Sequence, residues 1–122
     1  MSYKISIRLT SENIESLTSL NISPYNFKLL KRGDPVRPNS KFQVTQNMLI
    51  CDCIDCTNFD QDNVNLIINI IDALKKTDNK IKKELLISNV VENDQYGFEL
   101  PPILLKCLSE NDFSIVISGV FV

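Results

Sequence analysis

Residues 98–122 read FELPPILLKCLSENDFSIVISGVFV, and this stretch decides the fold. Pro101 and Pro102 fit the first turn of a helix, where a missing N–H leaves no bond unmade. Leu104, Leu105 and Leu108 follow as one apolar stripe at helical spacing. Asn111-Asp112 stops the helix, and Phe113 opens an alternating run. Phe113, Ile115, Ile117 and Phe121 share one side of that run; Ser114 and Ser118 share the other. A helix and a strand joined this closely must pack against each other. The rest of the chain has to complete a helix layer lying on a sheet.

The opening segment supplies a second strand. Tyr3, Ile5, Ile7 and Leu9 alternate with Lys4, Ser6, Arg8 and Thr10, which predicts one buried and one wet face. Thr10 or Ser11 is placed to cap a short helix carrying Ile14, Leu17 and Leu20. Residues 21–24 end that helix, because the residue before a proline avoids helical angles. Residues 25–31 predict a short strand, Arg32-Gly33-Asp34-Pro35 a turn, and residues 36–41 a polar loop. A further strand is centred on Met48-Leu49-Ile50-Cys51. Asp60 is a candidate cap for the longest helix, over 62–76. Val64, Ile67, Ile68, Ile71 and Leu74 form its core stripe, with Leu66, Ile70 and Ala73 as a second apolar line. Residues 77–83 read as a charged link, 85–92 as a Leu/Ile/Val-rich strand, and 93–97 as a turn.

The order β-α-β-β-α-β-α-β predicts a single α+β domain over residues 1–122. Its expected architecture is a two-layer sandwich, a mixed or antiparallel sheet with helices on one face. The expected core joins Ile5, Ile7, Leu9, Ile67, Ile71, Leu74, Ile87, Leu104, Leu108, Ile115 and Ile117.

Composition narrows the chemistry. The 122 residues are 43% apolar, enough for one continuous core, and the formal net charge is −2. There is no histidine, which removes Ser-His-Asp and Cys-His catalysis and His-ligated zinc together. Gly33, Gly97 and Gly119 are the three glycines, so no GxGxxG or phosphate loop is present. No apolar run approaches the ~18 residues that would span a bilayer. The segment MSYKISIRL alternates like a strand rather than reading as a signal peptide. The expectation is a cytoplasmic protein with reduced thiols, no membrane partner and no cofactor.

The pattern of Leu20-Asn21-Ile22-Ser23-Pro24, Lys31-Arg32-Gly33-Asp34, Phe98-Glu99-Leu100-Pro101, the Leu104/Leu105/Leu108 helix and the closing Ile115-Val116-Ile117-Ser118 strand resembles a bacterial family. That family is filed as domain of unknown function 4279. The order of elements is similar over nearly the whole chain. The middle departs from the family pattern, which often carries a Trp where this chain has Phe42 or Met48. The resemblance implies a small bacterial cytosolic protein without established catalytic residues. Proteins of this sort include immunity partners of secreted or contact-delivered toxins.

Three clusters are candidate sites. Cys51, Cys53 and Cys56 could bind zinc or copper(I) with Cys107 as a fourth ligand, or could serve as small apolar residues; no metal is expected. Lys28, Lys31, Arg32, Arg37 and Lys41, with Tyr25 and Phe27 nearby, have the chemistry of a single-strand nucleic-acid platform. The net negative charge weighs against it, and no nucleic-acid partner is expected. Asp52, Asp55, Asp60 and Asp62 lie in a segment free of Lys and Arg. They could be a solvated loop, or an acidic patch that meets a basic partner. The leading expectation is a non-enzymatic immunity protein whose four aspartates contact a cognate toxin, such as a nuclease. The alternative is a small-molecule- or protein-binding domain with no toxin partner.

Overall fold

The computed structural model describes residues 2–20, 25–56, 60–75, 80–91 and 100–121, with the backbone course alone at 2–3, 54–56, 89–91 and 119–121. Among the described residues, five strands and three helices follow one another. They are β1 (Ser2–Ser11), α1 (Ile14–Thr18), β2 (Lys28–Leu30), β3 (Asn47–Cys56), α2 (Gln61–Ala73), β4 (Lys82–Val91), α3 (Pro102–Glu110) and β5 (Phe113–Phe121). The sheet order is β2-β3-β1-β4-β5. All neighbours are antiparallel except β4 and β5, which are parallel and joined through α3. The protein is thus an α+β fold with a mixed sheet.

β1 lies at the centre because it can use both faces and both edges. Ile5, Ile7 and Leu9 are fully buried. The buried residues of all three helices join the same cluster, so the helices cover that face of the sheet. The opposite face carries Lys4, Ser6, Arg8 and Thr10. A bulge between Ile5 and Ser6 shifts the register against β3, so that Ile5 faces Ile54 while Ser6 faces Asp52.

α2 begins where its sequence predicts. The Asp60 side chain accepts from the Asn63 N–H at 2.9 Å. Asp60→Ala is expected to cost about 0.5–2 kcal/mol, read as a lower denaturation midpoint at unchanged slope. The deepest line on α2 is Val64, Ile67, Ile70, Ile71 and Leu74. Ile70 takes the place expected of Ile68, which is only half-buried, and Leu66 and Ala73 are exposed.

Other expectations need correcting. α1 is capped by Asn13, whose side chain accepts from the Glu15 N–H at 3.0 Å. Thr10 and Ser11 are unavailable because β1 runs on through both, and Ser11 Oγ instead accepts from the Asn13 N–H. Leu105 is exposed, because it sits about 100° round α3 from Leu104; the half-buried Cys107 completes the inward line. Lys82 and Lys83 belong to β4 and pair with Thr10 and Leu9.

Ile117 is 53% exposed rather than buried. Nine residues of helix span about 14 Å, whereas nine of strand span about 30 Å. α3 turns back from the start of β5, so it covers Phe113 and Ile115 and runs out near Ile117. The expected turn at 93–97, and Phe98 and Glu99, lie outside the described residues.

Candidate functional site

Between β2 and β3 the chain leaves the sheet and returns as a narrow ribbon. The turn after β2 is closed by the Asp34 N–H donating to the Lys31 carbonyl at 3.0 Å. Gly33 sits there at φ +92°, a conformation that L side chains rarely adopt. Its N–H donates to the Val44 carbonyl at 2.8 Å, and the Val44 N–H donates to the Asp34 carbonyl at 2.7 Å. Pro35 and Gln43 form a bridge, and the Val36 N–H donates to the Phe42 carbonyl at 2.9 Å. The tip folds back through the Ser40 N–H, which donates to the Arg37 carbonyl at 3.0 Å, with Asn39 at φ 64°. Asn is among the residues that tolerate this region.

The root of this arm is held to the body. Asn47 Oδ1 accepts from the Arg32 N–H at 2.8 Å, while Asn47 Nδ2 donates to the Glu12 carbonyl at 3.2 Å. Val44 is buried. Val36 and Phe42 stand opposite each other across the ribbon, so their side chains share one of its faces. Phe42 is 77% exposed and Val36 is exposed beside it. Lys28, Lys31, Arg32, Arg37 and Lys41 are all exposed, against Asp34 as the lone carboxylate of residues 28–44. Tyr25 and Phe27, expected to serve this cluster, are packed against the core instead. Phe42 is the ring that the arm presents.

The four aspartates do not form one described surface. Asp52 accepts from Ser6 Oγ at 2.9 Å and pairs with Lys4 Nζ at 3.6 Å, on the helix-free face. Asp60 is engaged as the α2 cap, and Asp62 is exposed in the first turn of α2, in the helix layer. The Asp55 backbone lies opposite Lys4, and its side chain is outside the described residues.

Elsewhere on the helix-free face, Arg8 donates from Nε and Nη2 to one Glu84 oxygen, at 3.1 and 3.0 Å. The Glu84 side chain is only 5% exposed and that of Arg8 31%. This pair is a strut between β1 and β4. Cys51 is buried and Cys53 half-buried against the core. Burial, reinforced by the charge of a neighbouring Cys51, pushes the Cys53 thiol up to about 12. The thiol is therefore neutral at ordinary pH, and the thiolate that a metal needs is disfavoured. Burial also raises Cys107, on the flank of α3 that faces Asp72 of α2 and Lys75 just beyond that helix. The Cys56 side chain is outside the described residues. A recess of about 370 Å³ lies beside the start of β4, lined by Ile81, Lys82, Lys83, Asp112 and Ser114. Lys83 Nζ there rests 5.6 Å from the centre of the Phe113 ring.

Comparisons of the chain with family models, with curated proteins and with solved structures found no match.

Proposed function

We propose that the protein acts by binding another protein, as an immunity factor that neutralises a cognate toxin, and that the arm over residues 31–44 grips that partner. One observation carries this reading: a hydrogen-bonded ribbon that carries four cations holds Phe42 77% exposed. A large apolar ring in water gains nothing for the isolated chain. Seated in a pocket of a partner, it contributes the kind of anchor that dominates protein interfaces, where aromatic and Arg side chains are enriched. The brace matters too, because a side chain already held in place loses less entropy on binding. The toxin setting comes from the family resemblance.

The charge of the arm specifies the partner. Lys31, Arg32, Arg37 and Lys41 call for a socket rimmed with carboxylates. The basic groove of a nuclease would instead call for the aspartates, of which Asp52 and Asp60 already have partners within the chain. The toxin to test is any large secreted protein found encoded immediately upstream of this chain. Phe42→Ala is expected to weaken that complex by at least ~30-fold, as for an interface anchor, with no change in the melting temperature of the free protein. Calorimetric titration of both forms checks it. Equal affinity of the two forms removes the arm from the interface.

An exposed ring among cations is also the chemistry of a single-strand platform. Salt-dependent binding of an oligonucleotide that is lost in Phe42→Ala would favour that second reading.

A further inference from the structure

The sheet ends in two different edges. On one side β2 is three residues long; on the other β5 is nine. Among the described residues nothing pairs with the outer edge of β5, which stands last in the sheet order. Exposed edges of this length are normally guarded by charges, prolines or bulges. β5, FSIVISGVF, has no charged residue and no proline, and its parallel register with β4 runs unbroken from Lys83↔Phe113 to Val91↔Phe121.

Apolar side chains flank the open edge in both layers. Val116 and Ile117 point to opposite faces of the sheet, and both are exposed. α3 adds a third. Its Cys107 side faces Asp72 of α2 and Lys75 just beyond that helix. Leu105 lies about 160° round the helix from Cys107, on the flank away from α2, and is also exposed. Leu105 of α3 and Ile117 of β5 are thus exposed apolar side chains of the helix and strand that end the sheet.

We infer that two copies of this chain pair through β5, antiparallel about a twofold axis, to form one continuous sheet of ten strands. The unpaired N–H and C=O groups of an edge are a ready template for another strand. A second copy fits because β5 is uncharged, so placing it against itself opposes no like charges. Ile117 is the middle residue of the nine and lies on the axis, facing itself. The strip is about 30 Å long and about 20 Å high, a strand plus the adjoining helix. That is roughly 600 Å² per copy, at the low end of the range for specific association. The dimer is accordingly a weak one that forms at high protein concentration.

Sedimentation of the full chain over a wide concentration range, with hydrogen exchange at both ends of it, tests the proposal. The expected result is a mass that rises towards twice the monomer, with β5 amides exchanging more slowly at high concentration. Val116→Lys places two like charges beside the axis and is expected to weaken dimerisation by ~100-fold. The melt of the dilute variant should be unchanged, because Val116 is already exposed. A chain that stays monomeric at the highest concentration overturns the proposal. So does a dimer of unaltered affinity in Val116→Lys, or one in which β5 exchange ignores concentration.

Discussion

Arg8→Ala is expected to lower the unfolding free energy by about 3–5 kcal/mol, although Arg8 lies on the face that carries none of the described helices. The loss comes from Glu84. Its side chain is 5% exposed and receives two N–H bonds from Arg8 on a single oxygen. Without Arg8, a carboxylate remains in a place that water hardly reaches, and its desolvation is no longer offset. For a chain of this length, a loss of 3 kcal/mol corresponds to a fall in melting temperature of roughly 10–15 °C. Arg8→Met combined with Glu84→Leu separates the cost of the orphaned charge from the worth of the pair. Replacing both partners by apolar groups of similar volume is often neutral, so the double variant should recover most of the stability. A single variant as stable as the parent would mean that Glu84 reaches solvent when Arg8 is gone.

Ile71→Ala is expected to cost about 2–5 kcal/mol. Ile71 is fully buried, in the cluster that joins α2 to Ile5, Ile7 and Leu9. Truncation removes the transfer energy of the lost carbons and leaves a cavity that a helix packed along Val64, Ile67, Ile70 and Leu74 cannot easily close. Leu66→Ala on the exposed side of the same helix is the control and should lose well under half as much. Chemical denaturation of the pair checks both. Equal losses would place α2 in a different rotation on the sheet.

What could be read from the sequence was what depends on neighbours a few residues away. The alternation of Ile5, Ile7 and Leu9 with polar residues specifies a strand with two unlike faces. The Asp60 cap and the spacing of Val64, Ile67, Ile71 and Leu74 specify a helix and its inward side. The exposure of Ile117 was not legible, because it follows from the unequal lengths of α3 and β5. The Arg8–Glu84 pair spans 76 residues and leaves no local trace. Asp52 points to the helix-free face by alternation from the buried Leu49 and Cys51, whereas Asp60 caps a helix, so counting aspartates along the chain could not show that Asp52 and Asp60 part company. Phe42 was not singled out as a site residue for a simpler reason. Hydropathy assigns an aromatic ring to the interior, and only the ribbon's hydrogen bonds show it held outward.

The central place of β1 also sets an order in time. Of the five strands it is made first, yet both of its neighbours come much later, and Arg8 meets Glu84 only when 76 further residues have followed. Such distant pairings carry a large loop-closure cost and slow the search for the native state. The β4–α3–β5 unit closes over a much shorter span, since Ser88 and Ser118 are 30 residues apart. During synthesis, β1 therefore waits for β3 before its first edge is paired and for β4 before its second is. A refolding experiment should find α3 and β5 protected from exchange before β1, with the last amides to gain protection lying between Ile5 and Leu9.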